Sequence, residues 1–395
     1  MPLDPQRLSA DVDDLGPTLR EVSSNIHAHP ELRWEEHRAA AWLTEAVEQA
    51  GVAVERNLGG FPTAFRARAG GKGPRVAILA EYDALPHIGH ACGHNLIAGG
   101  ALGAFLALAR HADDLGGSVE LIGTPAEEGG GGKIRLLDAG AFQGIDAAMM
   151  FHPFDRDLLA HFALANVWLV MKFKGTPSHA ALAPWEGQSA LTACLETFRL
   201  IDSQRVHFRD GVRVHGFVTD GGQAVNIIPE HASAEFSVRA LDMTELARVR
   251  AIVERCAKGA ALACGVEVTI TVREGYRHLV NNLTMARRFG RHLEGMGRKP
   301  AETDGTVGAG STDMGDVSHA VPSIHPWVAI CNKGETTCHQ HAFAECAGSE
   351  RGAQAMLVAA KAMALTAADL LGDPALLAEV RHEFELAHGS ESTPR

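Results

Sequence analysis

The sequence predicts an α/β protein in which a larger domain, rich in parallel strands, is interrupted by a small α+β domain. Short apolar runs alternate with helical patterns in the first part of the chain, as parallel strands joined by helices do. The middle of the chain instead reads strand, helix, two strands, helix and strand. Helical patterns then return. The predicted organisation is a larger domain at 1–165 and 277–395, with an inserted domain at 166–276.

The composition and net charge disfavour nucleic acid and membranes as partners of this protein. The 395 residues include 46% hydrophobic and 21% charged ones, as in ordinary globular proteins. The formal net charge of -12 disfavours nucleic acid as a partner, because binding to phosphates needs a basic surface. We find neither a secretory signal nor an apolar run near the ~20 residues of a membrane span. The seven cysteines are too scattered for a disulfide framework, so we expect a cytoplasmic protein without a membrane partner.

Three buried strands are predicted in the first part of the larger domain. The apolar runs 75–82, 118–123 and 147–151 have the composition of strands buried on both faces. Helices are predicted between them, at 95–110 and 133–139. In open α/β sheets the ligand site lies beyond the carboxyl ends of the strands.

Two further helices, at 14–28 and 35–50, precede the first strand. His27 and His29, near the junction of these helices, are possible metal ligands. A helix end whose polar side chains satisfy the backbone explains them equally well.

Candidate metal donors follow each of the three strands. Cys92 and His94 lie shortly after the first, Glu127 and Glu128 directly after the second, and His152 after the third. Thiolate, imidazole and carboxylate are groups that bind divalent transition metals. Each motif has a simpler alternative: a buried cysteine beside a helix-capping histidine, a solvated acidic turn, or an ordinary strand-end histidine. Their shared position at one sheet edge favours a two-metal hydrolytic site.

The adjacent carboxylates Glu127 and Glu128 carry most of this argument. Two such groups in a cleft repel each other unless a cation compensates them. Because neighbouring side chains diverge along an extended chain, one can bind a metal while the other faces the substrate. The four glycines 129–132 that follow are suited to close approach of backbone and ligand.

Another thiol and two imidazoles occur far away in the sequence, at Cys338, His339 and His341. Spacing alone does not choose between the two histidines.

The inserted domain contributes candidates for contact with a substrate. His179 could donate a hydrogen bond to a developing oxyanion. Asn226 and Arg239 could hold a substrate carboxylate, which arginine binds with two parallel hydrogen bonds. The simpler alternatives are a turn residue at Asn226 and a surface strand residue at Arg239.

The order and spacing of these motifs resemble the M20 metallopeptidases over nearly the whole chain. Within that family the likeness is to the amidohydrolase-like branch, in particular the group of M20 domain-containing protein 2 and the p-aminobenzoyl-glutamate hydrolases. The matching segments are 80–86, 89–95, 123–132, 150–153, 175–181, 226–230, 310–318 and 339–343.

The resemblance implies a zinc-peptidase-like fold with a dinuclear site, and a lid domain that commonly mediates homodimerisation. The role of general base falls to Glu127. His179 matches the lid histidine that polarises the scissile carbonyl, in its own or the partner's site. By position, the metal ligands are Cys92, His94, Glu128, His152 and His339.

Two details of the match concern single positions. His339 is preferred over His341 because the family's histidine precedes the phenylalanine of this segment by four residues, as His339 precedes Phe343. Glu81 stands where many M20 peptidases have a metal-binding histidine, and Gln340 replaces the usual threonine or small residue.

The implied reaction is hydrolysis of the amide bond of a small dipeptide or N-acyl amino acid. Substrates in this branch include p-aminobenzoyl-glutamate and dipeptides with a basic C-terminal residue. The mixed donors suit zinc, for which manganese or cobalt could substitute. One alternative is deamination or decarbamoylation of a small nitrogen compound on the same fold. Another, a non-catalytic peptide-binding protein, is disfavoured because every ligand position and the base are filled.

Overall fold

The computed structural model describes residues 3–305 and 310–389. The chain divides into two compact units. Unit 1 comprises Met1–His161, Val280–Thr306 and Asp316–Arg395, and unit 2 comprises Phe162–Leu279 and Val307–Gly315. The sequence pattern places 310–315 in the larger domain, whereas the structure groups this segment with unit 2.

The helices and strands are numbered along the whole chain. The helices are α1 (Pro5–Ala28), α2 (His37–Gln49), α3 (His94–Ala109), α4 (Glu127–Gly130), α5 (Gly132–Asp138), α6 (Ala190–Gln204), α7 (Met243–Cys264), α8 (Leu283–Gly295), α9 (Met314–Ser318), α10 (His341–Ala347), α11 (Glu350–Gly372) and α12 (Pro374–His388). The strands are β1 (Val54–Arg56), β2 (Phe65–Gly70), β3 (Arg75–Ala80), β4 (Ser118–Gly123), β5 (Ala147–Met149), β6 (His152–Phe154), β7 (Ala165–Lys174), β8 (Arg213–Asp220), β9 (His231–Ala240), β10 (Glu267–Glu274), β11 (Ser323–Ile324) and β12 (Trp327–Ala329).

Unit 1 is built on a six-stranded sheet with the order β1-β2-β4-β3-β5-β11. The predicted parallel core is confirmed, since β3 runs parallel to both β4 and β5, and β5 to β11. At one edge the sheet is mixed, since β2 is antiparallel to β4 and to β1. The signal for β2 is present in the sequence, because Arg66 and Arg68 alternate with apolar residues, and the structure buries the apolar ones.

Helix α3 connects β3 to β4, and its first fifteen residues are buried. Its glycines allow close packing against neighbouring elements. A Cβ atom at Gly103 would lie 2.6 Å from Leu19 Cδ1 of α1, and one at Gly100 would lie 2.5 Å from Phe151 Cε1. This packing holds the beginning of α3, at His94, close to the end of β5.

Helix α1 begins nine residues before the predicted start, since it runs from Pro5 rather than residue 14. The Asp4 carboxylate accepts a hydrogen bond from Gln6 N at 2.9 Å, and Pro5 occupies the first turn.

Helix α11 is long and apolar enough to cross a membrane by length and composition, contrary to the prediction from the sequence. Within the structure 67% of its apolar window is buried. A core helix passes the same test, and Met356, Ala360 and Met363 of α11 belong to the hydrophobic core of unit 1.

Unit 2 has an antiparallel sheet of its own, with the order β10-β7-β9-β8. Helices α6 and α7 contribute to a second hydrophobic core with Leu169, Phe173 and Phe236. Four strands and two helices in this order are the α+β arrangement that the sequence predicts. Strand β8 lies at one edge of this sheet, and most of its residues are exposed.

Candidate metal centre and active site

The structure brings the predicted donors of unit 1 together at the carboxyl ends of the parallel strands. Ligand atoms of Cys92, His94 and Glu128 lie within 4.8 Å of one another. A second group of the same dimensions contains Cys92, His152 and Cys338. Cys92 belongs to both groups, so the two potential metal positions are adjacent.

Asp83 orients the first group, and sequence reasoning did not identify it. Its Oδ1 lies 3.2 Å from His94 Nδ1, and its Oδ2 accepts a hydrogen bond from Glu128 N at 2.9 Å. The backbone N–H of Glu127 also donates to this carboxylate. One buried side chain therefore positions an imidazole and both residues of the glutamate pair. Its position just beyond the end of β3 is the signal that could have found it.

The buried His94 and the partly buried His152 each present one ring nitrogen to the cluster. His94 Nδ1 is engaged by Asp83, and His152 Nδ1 donates to its neighbour Pro153 O at 2.8 Å. The Nε2 atom of each ring is thereby left as the nitrogen that can bind a metal. The ring centroids are 6.0 Å apart.

His339 is the histidine that approaches this cluster. Its Nε2 lies 3.5 Å from Glu128 Oε1, and its backbone N donates to Ala91 O at 2.9 Å. His341 is the exposed first residue of α10. The contact with Glu128 is therefore one that His339 makes, as the family pattern implies.

Burial and mutual repulsion perturb the pKa values of these groups. The contact with Cys338, followed by burial, raises the pKa of the Cys92 thiol well above its usual range. Burial lowers the pKa of His152 to about 4. Burial alone would also lower the pKa of His94, but the Asp83 hydrogen bond and the charges of Glu81 and Glu128 raise it well above the usual value. Such a site favours a cation that can compensate its thiolate and carboxylate charges.

The donor set fits a divalent metal. Among the described residues, the buried atoms His94 Nε2 and Glu128 Oε1 make no hydrogen bond, although such atoms are normally satisfied. Their neighbours Glu81 Oε2 and His339 Nε2 each lie 3.5 Å away. Thiol, imidazole and carboxylate together match zinc and related ions. Cys92, His94, Glu128, His152 and His339 could hold such ions, while Glu127 begins α4 beside them.

Left-handed backbone conformations flank the donors. Gly93, Ala126 and His339 have φ values of 74°, 61° and 68°. A Cβ atom at Gly93 would lie 2.5 Å from Pro153 Cγ, so a larger residue would force apart the loops that carry Cys92 and His152. For Ala126 and His339 this conformation costs roughly 1–2 kcal/mol each, and such strain is common at functional sites.

Glu36 supports the strained turn at Ala126. Its Oε1 accepts hydrogen bonds from Trp34 N at 2.9 Å and from Ala126 N at 2.8 Å. Burial, with the nearby Asp83 charge, raises the pKa of Glu36 to about 7. No sequence pattern connects residue 36 with a turn 90 positions later.

Other predicted features have structural explanations. The glycines after Glu128 serve the turn itself, because a Cβ atom at Gly132 would lie 1.6 Å from Pro125 O. His27 Nε2 lies 2.8 Å from Ala344 O and His29 Nδ1 lies 2.9 Å from Asn25 O, so both bind backbone carbonyls. Glu81 forms a buried ion pair with Lys133.

Within unit 2, the structure brings His179 and Asn226 together. Their loops pair through a bridge between His179 and Ile227, and Ala180 N donates to Asn226 O at 3.0 Å. His179 Nδ1 accepts hydrogen bonds from the N–H groups of Ala181 and Leu182, both at 3.2 Å, and the ring is exposed. In its neutral form the ring therefore carries its proton on Nε2.

Arg239 lies elsewhere in unit 2. It is half-buried on β9, opposite Asn166, and burial lowers the pKa of its guanidinium. Its buried Nε atom has no hydrogen-bond partner in the described part of the chain. The structure does not place it beside His179 and Asn226.

Comparison with known proteins identifies the family. The model of Peptidase family M20/M25/M40 matches residues 77–366. The chain belongs to this family. Among curated M20 relatives, the Xaa-Arg dipeptidase of Mus musculus is 37% identical, over 96% of this chain and 92% of its own length. One component of the p-aminobenzoyl-glutamate hydrolase of Escherichia coli (strain K12) is 30% identical, over 92% of this chain and 91% of its own length.

A solved structure supports the M20 fold. A dinuclear metal-binding peptidase of the M20 family from Bacillus subtilis superposes with a TM-score of 0.73 at 21% identity, over 91% of this chain and 99% of that one. The resemblance of the sequence to M20 proteins is thus confirmed, as is the α/β fold with a parallel sheet.

Proposed function

We propose that this M20 protein is a metal-dependent amidohydrolase that cleaves the amide bond of a small dipeptide or N-acyl amino acid. The observation that carries the proposal is the cluster of Cys92, His94 and Glu128 ligand atoms, with the Glu127 carboxylate next to it in sequence. Two metal ions fit the two adjoining groups of donors. Their mixture of sulfur, nitrogen and oxygen favours zinc over manganese or cobalt.

The residues of the chain have distinct roles in this reaction. Bound metal ions would lower the pKa of the attacking water and polarise the scissile carbonyl. Glu127 accepts a proton as the water attacks and returns it to the leaving amine. The Nε2–H group of His179 donates to the carbonyl oxygen as that oxygen gains negative charge.

Arg239 is our candidate for binding the substrate carboxylate. A half-buried guanidinium whose Nε lacks a protein partner can pair with a carboxylate at little cost in desolvation. Asn226, beside His179, would donate a further hydrogen bond from its side chain. Both the curated relatives, by their names, act on compounds that end in an amino acid, either arginine or glutamate.

His179 and Arg239 are too far apart within one subunit to contact the same small substrate. On β7 and β9, the pair Asn166–Arg239 is eight residues from the pair Lys174–His231, which is about 26 Å at ~3.3 Å per residue. The pairing continues past this end of the sheet, where Ile228 N donates to Ser178 O. A dipeptide spans only about 7 Å.

We therefore propose a homodimer in which His179 acts in the active site of the partner subunit. Strand β8 is a suitable contact, because it is an edge strand whose residues are mostly exposed and the side chain of Phe217 is 62% exposed. The free cysteines are consistent with a cytoplasmic location.

A substrate panel tests the proposed reaction. Protein reconstituted with zinc, manganese or cobalt is incubated with dipeptides ending in arginine or lysine, p-aminobenzoyl-glutamate, N-acyl amino acids, β-alanyl dipeptides and N-carbamoyl amino acids. We expect chelator-sensitive release of a free amino acid from a dipeptide or N-acyl compound. The C-terminal amide of the same substrate should show a higher KM, because it lacks the carboxylate that Arg239 binds.

The panel also separates the alternatives. Cleavage of N-carbamoyl compounds alone would favour a decarbamoylase. A metal-loaded protein that hydrolyses no amide would contradict the proposed function.

A further inference from the structure

We propose that Cys338 is a sixth protein ligand of the metal centre and gives it a second thiolate. The family pattern assigns a ligand role to His339 but none to the residue before it. In the structure the Cys338 sulfur lies within 4.8 Å of the ligand atoms of both Cys92 and His152. This inference rests on the proposed metal centre and does not depend on which substrate is cleaved.

The backbone explains how consecutive residues can serve two metal positions. His339 N donates to Ala91 O at 2.9 Å, which fixes residues 338 and 339 beside Cys92. The left-handed conformation of His339, with φ of 68°, turns the chain at this point. His339 then faces Glu128 in one group of donors, while Cys338 belongs to the other group.

The donor count supports a ligand role for Cys338. The position near Glu128 has Cys92, His94 and Glu128, with His339 close by. The other position has Cys92 and His152, and Cys338 is the third member of that group. Catalytic zinc sites in proteins commonly have three protein ligands and leave one position open. With Cys338 the second position reaches this number.

The balance of charge between the metal ions and their ligands also supports a ligand role for Cys338. Two divalent ions carry four positive charges, and the Cys92 and Cys338 thiolates with the Glu128 carboxylate would supply three negative ones. A second thiolate also makes the site softer, so it should favour zinc or cadmium over manganese.

The competing explanation is that Cys338 only packs against the core, where it lies as a partly buried thiol. Cys338→Ala and Cys338→Ser distinguish the two roles, with Cys346→Ser as the matched control. Cys346 is likewise a partly buried free thiol, but it lies on α10 outside the donor groups.

The full-length protein is reduced with a phosphine, loaded with Co²⁺ and examined by absorption spectroscopy without substrate. Thiolate-to-cobalt charge transfer in the near ultraviolet should fall by roughly a third to a half in both Cys338 variants, because one of two thiolates is lost. The preference for Cd²⁺ over Mn²⁺ should fall at least about tenfold. Cys346→Ser should match the wild type in both measurements.

A labelling experiment on the wild-type protein covers the case in which a variant misfolds. Alkylation of Cys338 with iodoacetamide, followed by mass spectrometry, should be slow in the metal-loaded protein and fast after metal removal, while the rate at Cys346 should not change. An unchanged cobalt spectrum in folded Cys338→Ala, or equal alkylation with and without metal, would overturn the proposal. Neither result would contradict the proposed amide hydrolysis, which the substrate panel tests separately.

Discussion

Two candidate metal donors of unit 1 and two candidate substrate contacts of unit 2 lie in opposite environments. In unit 1, Cys92 and His94 are 7% and 1% exposed, and Asp83 and neighbouring backbone groups hold them in place. In unit 2, His179 and Asn226 lie on exposed, mutually paired loops. In the proposed function, Cys92 and His94 would hold a cation from buried, preorganised positions, whereas His179 and Asn226 would stay hydrated until a substrate binds.

The largest expected effect concerns the base. Glu127→Gln keeps the shape of the side chain but cannot accept a proton, so kcat should fall by roughly 10²–10⁴-fold while both metal ions are retained. Steady-state hydrolysis and elemental analysis of the same preparation measure the two quantities. Glu128→Gln is the matched control and should lose metal. If both variants lost metal equally, the assignment of Glu127 as base and Glu128 as metal ligand would be wrong.

A smaller effect is expected at Asp83, which would show that the preorganisation of unit 1 matters for metal affinity. Asp83→Asn weakens the hydrogen bonds to His94 and to the backbone of the glutamate pair, and metal affinity should fall roughly 10–100-fold. Competition with a fluorescent chelator measures this affinity. Asp242→Asn, at the N-cap of α7 in unit 2, should leave it unchanged. Equal affinities in all three proteins would remove Asp83 from the site.

A third effect, on stability rather than on catalysis or metal binding, is expected at Glu36. Because its folded pKa is raised from 4.5 to about 7, Glu36 stabilises the fold fully below pH 4.5, and this contribution is lost as the pH rises to about 7. Glu36→Gln keeps the acceptor for Ala126 N but cannot ionise. Relative to the variant, the wild type should lose about 3 kcal/mol of unfolding free energy between pH 4.5 and 8.

Urea denaturation at pH 4.5, 6 and 8 checks this difference. Glu45→Gln, exposed on α2, is the control and should parallel the wild type at every pH. If the unfolding free energies of Glu36→Gln and the wild type changed equally with pH, ionisation of Glu36 would not destabilise the fold.

The strands that precede the candidate donors can be predicted from the sequence because they are strongly apolar. Strands β3, β4 and β5 are short, buried runs, and Cys92, Glu128 and His152 each come after one of them. The order of strands in a parallel sheet then brings these residues to one edge. The predicted start of α1 at residue 14 overlooks the signal of the N-cap Asp4 and the first-turn proline Pro5.

Residues that act through tertiary contacts could not be predicted in this way. Glu36 reaches Ala126 only because the fold brings the beginning of α2 to the end of β4. Cys338 is adjacent to His339 in sequence, but its approach to Cys92 and His152 depends on the left-handed turn at His339. The separation of Arg239 from His179 follows from the strand register, which residue composition does not reveal.

Subunit complementation tests most directly whether His179 of one subunit acts together with Glu127 of the other subunit. Glu127→Gln inactivates unit 1 and His179→Ala inactivates unit 2, so each homodimer should be nearly inactive. If His179 acts in the partner's site, a mixed dimer regains one complete active site of its two. An equimolar mixture after subunit exchange should then recover about a quarter of wild-type activity. No recovery above the two parent variants, with exchange verified by mass spectrometry, would contradict the account.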